Sequence, residues 1–239
     1  MLNISNLNVV ILAGGFGTRL KNKFPDIPKA LVPIQNKPFI TYIMDQLDSF
    51  GLSHVTISTG YLSSKIRKRI GNRYKNIQIN YSKEEMPLGT GGALKSICFS
   101  SPKENVLVLN GDSYLKFNLK NLYKAHTNNN AKVTILLKMK QKRTQFGSVN
   151  INKDNQIIEF KEKKEGLKKG LINAGIYLIK SSTLKMIPNK TPCSLELDFF
   201  PNIIGRGLYG LESQDFFTDI GTPESYEKAN KNLFFKIKK

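Results

Sequence analysis

Hydrophobic positions along the chain fall into short runs that alternate between two periods. Asn8-Val9-Val10-Ile11-Leu12 is a continuous apolar run stopped at Gly14-Gly15, and its brevity and β-branching predict a buried parallel strand. Residues 38–50 place Phe39, Ile43, Leu47 and Phe50 at helical spacing, with Gly51 as the stop. The same reading gives a strand over 54–59, a helix over 62–70, a strand over 76–81 and a helix over 91–99. A further strand over 105–109 is closed by Asn110-Gly111-Asp112. Strands alternating with helices at this spacing predict an α/β fold built on a parallel, doubly wound sheet with right-handed crossovers.

Beyond Asp112 the rhythm changes. A helix over 119–129 precedes a strand over 132–140. Two strands, 146–151 and 156–161, then flank Asn152-Lys153-Asp154-Asn155 as a hairpin. A strand over 171–179, a helix over 195–204 and a C-terminal helix over 223–235, entered through Thr222-Pro223, complete the expectation. Neither an internal repeat nor a low-complexity linker is present. The chain therefore reads as one domain, 1–239, in which residues 1–112 bind one ligand at strand C-terminal ends and residues 113–239 supply strands and loops for another.

Composition narrows this picture only in part. A chain of 239 residues that is 40% apolar can bury a substantial core. No window approaches eighteen uninterrupted apolar residues, which excludes a membrane-spanning helix. The N-terminal residues lack a basic start followed by an apolar run, so a secretory signal is not expected and a cytoplasmic location is. Cys98 and Cys193 lack metal-ligand spacing and read as free thiols. Thirty-seven Lys and Arg against eighteen Asp and Glu give a net charge of +19, a field that attracts polyanions. The chain is crowded with Lys, Asn and Ile while Arg is scarce, as an AT-rich genome would encode, and this accounts for most of the excess.

Candidate chemistry begins directly after the first strand. In Leu12-Ala13-Gly14-Gly15-Phe16-Gly17-Thr18-Arg19-Leu20, three glycines let the backbone approach a polyphosphate and aim N–H groups at its oxygens. Arg19 adds a planar cation that can grip phosphate bidentately. A P-loop would need Gly-Lys-Ser/Thr here, and a dinucleotide fingerprint would need glycine where Leu20 stands; neither is met. Ten residues on, Pro28-Lys29-Ala30-Leu31-Val32-Pro33 holds Lys29 between prolines, which suits a cation that must keep a fixed position.

These blocks resemble the opening signature of the sugar-1-phosphate nucleotidyltransferases, the NDP-sugar pyrophosphorylases. Glu84-Glu85-Met86-Pro87-Leu88-Gly89-Thr90-Gly91-Gly92 resembles that family's nucleoside-binding loop, and Asn110-Gly111-Asp112 its metal-binding aspartate. Asn173-Ala174-Gly175-Ile176-Tyr177 resembles its sugar-binding strand. Thr218-Asp219-Ile220-Gly221-Thr222-Pro223 resembles the segment of its second metal-binding aspartate. Five blocks stand in the family's order from Val9 to Tyr226. Pro-Asp-Ile-Pro-Lys, Ser-Thr-Gly-Tyr, Pro-Leu-Gly-Thr-Gly-Gly and Asn-Gly-Asp-Ser-Tyr further resemble the guanylyltransferases that activate D-glycero-D-manno-heptose 1-phosphate. GDP-mannose, UDP-sugar and dTDP-sugar enzymes share much of this.

The resemblance implies a Rossmann-like, mixed but mostly parallel sheet, the nucleotide-diphospho-sugar transferase fold, with a smaller sugar-binding lobe. It implies that a sugar 1-phosphate attacks the α-phosphorus of a nucleoside triphosphate, with GTP the expected one, and releases pyrophosphate. Leu12, Ala13, Gly14, Gly15, Gly17, Thr18, Arg19, Glu84, Pro87, Gly89, Thr90 and Gly111 are then expected at the nucleotide. Arg19, Lys29, Asp112 and Lys163 are the expected catalytic residues, and Glu162, Lys163, Asn173 and Gly175 are expected at the sugar phosphate. Asp112 and Asp219 would hold Mg²⁺, whose preference is for carboxylate and phosphate oxygens. A sugar phosphate is already anionic at neutral pH, so a general base is not needed, which suits a chain with only His54 and His126. Guanine presents two adjacent donors that one carboxylate can accept together, and Glu84 or Glu85 is placed to do so. A nucleic-acid-binding protein is the rival class, motivated by the charge, but basic residues interleaved with aromatics on one face are not found and a nucleic-acid partner is not expected. A catalytically silent relative would lack one of Arg19, Lys29, Asp112 or Asp219, and all four stand.

Overall fold

A computed structural model describes residues 7–15, 17–97, 102–141, 147–161 and 169–237. The elements run β1 (Leu7–Ala13), β2 (Pro33–Ile34), β3 (Lys37–Pro38), α1 (Phe39–Ser49), β4 (His54–Thr59), α2 (Ser63–Ile70), β5 (Arg73–Tyr74), β6 (Ile77–Lys83) and α3 (Gly89–Ser96). There follow β7 (Asn105–Asn110), β8 (Ser113–Leu115), α4 (Leu119–Asn128), β9 (Val133–Lys140), β10 (Ser148–Ile151) and β11 (Ile157–Lys161). The chain ends with β12 (Gly170–Lys180), β13 (Leu208–Ser213), β14 (Phe217–Asp219) and α5 (Pro223–Ile237). The α/β class read from the hydrophobic pattern is the class observed.

The chain forms two compact units whose segments alternate. One comprises Val9–Pro87, Leu109–Lys116 and Phe216–Lys239; the other comprises Met1–Asn8, Leu88–Val108 and Phe117–Asp215. In the first, β1 pairs parallel with β4 (Ala13↔Thr59) and β4 with β6 (Thr59↔Lys83). Val10 and Ile11 of β1 lie on opposite faces and are both buried, which is why that strand reads as a continuous apolar run, while Val55 and Ile57 of β4 are buried on one face and Ser58 on the other. The backbone after β1, after β4 and after β6 emerges at one edge of the sheet, where the glycine loop begins. Phe39, Ile40, Ile43, Met44 and Leu47 of α1 are buried on its helical stripe. A short antiparallel ribbon, β8 with β14, pairs Asp219 with Ser113, and the Ile220 N–H donates to the Asp112 carbonyl at 2.9 Å. α5 follows this ribbon and is anchored elsewhere: the Tyr226 hydroxyl donates to the Pro33 carbonyl of β2 at 3.1 Å, and its ring meets Phe24 edge-on at 5.1 Å.

In the second unit, β9 lies between parallel β13 and antiparallel β12, and β12 continues through β10 to β11 in antiparallel pairing. The register of β12 against β9 shifts between Asn173 and Tyr177, and Gly175 there has φ 77°. That bulge is the kind of distortion that re-aims side chains in the middle of a strand.

One expectation needs correction, and three strands were not read from the sequence. Residues 195–204 are not one helix but a π-helical turn, Leu195–Phe199, followed by a 3-10 turn, Pro201–Ile203. Pro201 has no N–H to continue the ladder, and the Ser194 side chain caps the Glu196 and Leu197 N–H groups instead. β13 escaped the sequence reading because Gly205, Gly207 and Gly210 dilute its apolar pattern; Gly205 and Gly207 both have positive φ. β8 and β14 were missed because three-residue strands leave no period to read.

One buried group in the second unit makes stability depend on pH. His126 of α4 is 3% exposed, its Nδ1 is 2.9 Å from the Thr134 hydroxyl, and its Nε2 has no partner among the described residues. Burial, and secondarily the nearby Lys180 ammonium, push its pKa from 6.5 down to about 4. The imidazole is therefore neutral in the folded chain at pH values where the unfolded chain is already protonated. Stability is fully present above pH 6.5 and falls as the pH drops towards 4, by roughly 3 kcal/mol in all. Urea denaturation across this range should show that slope in the native chain and a flattened one in His126→Gln; identical slopes would contradict it.

Candidate nucleotide and metal site

The glycine loop leaves the sheet at Ala13, and its glycines are needed because other backbone comes very close. A Cβ at Gly60 would lie 2.8 Å from the Gly14 carbonyl oxygen, and one at Gly14 would collide with the Glu84 carboxylate. Gly17 has φ 61°, a left-handed conformation costly for other residues, and turns the chain into the 3-10 turn Thr18–Leu20. Gly15, Thr18 and Arg19 are exposed, while Leu12, Ala13, Gly14 and Gly17 are half-buried. Arg19 makes no ion pair among the described residues, so its guanidinium is available to an incoming anion.

Lys29 is brought to this loop by the 3-10 turn Lys29–Leu31 that follows Pro28. Its Cβ would lie 3.3 Å from a Cβ at Gly17, so only glycine leaves the lysine stem its path. The ammonium then reaches the Asp112 carboxylate at 2.5 Å, with the two side chains 18% and 43% exposed. Asp112 is set by its neighbour Gly111, whose N–H donates to the Leu12 carbonyl at 2.8 Å and which has no space for a Cβ against Ala13. Asp219 enters from β14, its Oδ1 accepting the Gly221 N–H at 2.8 Å. A Cβ at Gly221 would sit 3.0 Å from that Oδ1 and 3.8 Å from the Lys29 Nζ. Lys29, Asp112 and Asp219 therefore share one small space beside the glycine loop.

This arrangement fits a divalent cation. The Lys29 ammonium is paired with Asp112, and the Asp219 carboxylate lies on the other side of Gly221 from it. Two carboxylates suit an ion such as Mg²⁺, which completes its shell with water and substrate phosphate. Among the described residues no group of three or more His, Cys, Asp and Glu gathers to hold a metal by itself, so phosphate oxygens would have to share the coordination.

Beside the loop lies a cavity of about 280 Å³ lined by Gly14, Tyr61, Glu84, Glu85, Met86 and Pro87. Glu84 is half-buried there, its Oε1 accepting from the Ser58 hydroxyl at 3.0 Å and its own N–H donating to the Thr59 carbonyl at 2.8 Å. Glu85 is 83% exposed and pairs with Lys83 at 3.4 Å. Of the two acids that the sequence left open, Glu84 is the one fixed within the cavity.

In the second unit, Gly89 and Thr90 begin α3, and Asn173 and Gly175 occupy the bulge of β12. The Asn173 amide donates to the Tyr177 hydroxyl at 2.9 Å and its oxygen accepts the Gly175 N–H at 2.8 Å. The Tyr177 hydroxyl donates to Glu196 Oε1 at 2.9 Å, while the hydroxyls of Thr90 and Ser194 donate to Glu196 Oε2, each at 2.8 Å. Sequence reasoning missed Glu196, which ties α3 to the bulge. Its signal was available: a carboxylate inside Ser-Leu-Glu-Leu-Asp, on a segment whose neighbours Leu195 and Phe199 are fully buried. Glu162 and Lys163 lie outside the described residues. Cys193 is buried and free, and burial raises its thiol pKa; Cys98 lies outside the described residues.

The chain matches the Nucleotidyl transferase family over residues 8–234. It is 38% identical over 228 residues to the D-glycero-alpha-D-manno-heptose 1-phosphate guanylyltransferase of Aneurinibacillus thermoaerophilus, covering 95% of this chain and 98% of that one. The enzyme of the same name from Campylobacter jejuni is 34% identical over 92% of this chain and 97% of its own. Among solved structures, HddC from Yersinia pseudotuberculosis complexed with GMP-PN is 32% identical, with a TM-score of 0.82 over 95% of this chain and 99% of that one. No helix among the described residues is long and apolar enough to cross a membrane.

The glycines give a direct test of this geometry. Gly89 has φ 75°, and a Cβ there would run into the Cys193 carbonyl, whereas a Cβ at Gly15 meets nothing within 4 Å. Gly89→Ala should destabilise the chain by about 2 kcal/mol or more and Gly15→Ala by less than about 1 kcal/mol. Chemical denaturation of the two variants measures the difference, and equal losses would contradict the packing described.

Proposed function

Because the chain belongs to the Nucleotidyl transferase family, we propose that it transfers GMP from GTP to a sugar 1-phosphate, with D-glycero-D-manno-heptose 1-phosphate the sugar substrate, and releases pyrophosphate. The observation that carries this reading is the meeting of Lys29, Asp112 and Asp219 beside a glycine loop. The choice of sugar rests on the two heptose 1-phosphate guanylyltransferases, which match this chain along nearly their whole length.

The reaction forms a bond from a sugar-phosphate oxygen to the α-phosphorus and breaks the bond to the β-phosphate oxygen, which leaves with pyrophosphate. The nucleophile is already ionised, so the chain's work is positioning and charge neutralisation. The glycine loop, Leu12 to Thr18, offers backbone N–H groups to the phosphates, and exposed Arg19 grips the leaving pyrophosphate. Lys29 exchanges Asp112 for the α-phosphate and stabilises the charge that develops there. Asp112 and Asp219 would hold a divalent ion such as Mg²⁺, which would supply positive charge to offset that of the phosphates. Glu84 accepts the N1–H and N2 amino group of guanine, and Gly89, Thr90 and Pro87 shape the loop around the nucleoside. Asn173 and Gly175 bind sugar hydroxyls, with Tyr177 and Glu196 holding the Asn173 amide in place. Glu162 and Lys163 act at the sugar phosphate.

Two substitutions test the reading. Asp112→Asn should lower turnover by roughly two to four orders of magnitude while thermal unfolding changes little. Near-normal rates of pyrophosphate release would remove the metal assignment. In a matrix of GTP, UTP, dTTP and CTP against a panel of sugar 1-phosphates, the native chain should favour GTP. Glu84→Gln should cut that preference by about tenfold or more. A guanine preference that survives intact would take base reading away from Glu84.

A further inference from the structure

Glu196 sits half-buried in the π-helical turn Leu195–Phe199, and its two carboxylate oxygens face different elements. Oε1 accepts the Tyr177 hydroxyl of β12 at 2.9 Å. Oε2 accepts the Thr90 hydroxyl of α3 and the Ser194 hydroxyl, each at 2.8 Å. A carboxylate only accepts, and each hydroxyl has a single hydrogen, so Glu196 takes up the donor of all three. What remains on each hydroxyl is its lone pairs, and these too are in use. Tyr177 accepts from the Asn173 amide at 2.9 Å and Thr90 from the Leu195 N–H at 2.8 Å. Ser194 accepts from the Glu196 and Leu197 N–H groups at 3.1 and 3.2 Å.

The direction of this chain of bonds reaches Asn173. Its amide nitrogen faces Tyr177, whose hydroxyl has no hydrogen left to give, and its oxygen faces the Gly175 N–H at 2.8 Å. A flipped amide would set oxygen against an oxygen lone pair and N–H against N–H, two repulsions in place of two bonds. Asn173 is thereby left with one N–H and one carbonyl lone pair in fixed places. On the other side of the carboxylate, the same segment holds the start of α3. The Cys193 N–H donates to the Leu88 carbonyl at 2.8 Å, and the Cys193 carbonyl accepts the Gly91 and Gly92 N–H groups at 2.8 and 3.2 Å. Thr90 lies between these contacts and is the side chain through which that loop reaches Glu196.

We propose that Glu196 is a positioning residue for both substrates: through Tyr177 it sets which way the Asn173 amide faces the sugar, and through Thr90 it holds the loop that receives the nucleoside. This rests on the assignment above of Gly89 and Thr90 to the nucleoside and of Asn173 to the sugar. The property that matters is acceptance alone. Glu196→Gln keeps the size and shape of the side chain but brings a donor of its own. One of the three hydroxyls must then turn, and the chain of bonds loses its single direction.

Steady-state kinetics with GTP and D-glycero-D-manno-heptose 1-phosphate tests this through KM. Glu196→Gln should raise KM for both substrates, by roughly threefold to tenfold each. A merely structural loss would lower kcat with the folded fraction and leave both KM values as they were. Tyr177→Phe should raise KM for the sugar phosphate only, and Thr90→Val for GTP only. Adding Tyr177→Phe to Glu196→Gln should raise the sugar KM little further, because both changes break the same link. Native KM values for both substrates in Glu196→Gln would overturn the proposal. If Glu196→Gln fails to fold, the two single-arm variants decide: KM values that shift equally for both substrates, or for neither, would overturn it. Absence of turnover by the native chain would instead remove the guanylyltransferase reading itself, so the two failures are distinguishable.

Discussion

Lys29 and Asp112 hold opposite charges together at the edge of a parallel sheet, and the surrounding backbone is arranged to keep them there. Pro28 and the short turn after it aim the lysine stem past Gly17. Gly111, pressed against the end of β1, fixes the direction of the aspartate. The β8–β14 ribbon carries Asp219 to the neighbourhood of Gly221, which also lies close to the Lys29 ammonium. An isolated pair at such partial exposure contributes little to stability, and in the function proposed above it is preparation for a ligand. On the function proposed above, a polyphosphate would take up the lysine, and a divalent ion would give the aspartate a new counter-charge.

Glycine makes this crowding possible. At Gly14, Gly60, Gly111 and Gly221 a single added carbon would meet backbone or a carboxylate at 3.0 Å or less. The result is a place where acidic, basic and backbone donor groups stand unusually close. The second unit solves a different problem with different means. Glu196 there is surrounded by three hydroxyl donors rather than a cation, so its charge is spread over a hydrogen-bond network that fixes the bulge of β12. Networks of this kind confer geometric definition more than stability.

Much of this was legible in the sequence, and the reasons differ by element. Strands β1 and β4 and helix α1 could be read because burial on two faces leaves a short continuous run, burial on one face an alternation, and burial on one stripe a helical period. The glycine loop and Lys29 stood out by residue type and spacing, while the resemblance supplied both Asp112 and Asp219. What escaped was set by tertiary context. β8 and β14 are too short for a period, β13 is interrupted by glycines, and the turn at Leu195–Phe199 is decided by the Ser194 cap and Pro201. Glu196 was invisible for the same reason: its role exists only once Thr90 and Tyr177, far apart in sequence, are brought to one carboxylate. The choice of Glu84 over Glu85 likewise needed the position of Ser58, 26 residues upstream.

The central claim is that one metal–triphosphate complex replaces the Lys29–Asp112 contact. A crystal structure of the chain with Mn²⁺ and a non-hydrolysable GTP analogue tests it most directly, because anomalous scattering locates the metal independently of the protein phases. The account predicts a manganese peak bonded to Asp112 and Asp219, with the Lys29 ammonium moved from Asp112 to a phosphate oxygen. A metal bound away from these two aspartates, or a nucleotide seated with Lys29 still paired to Asp112, would contradict it.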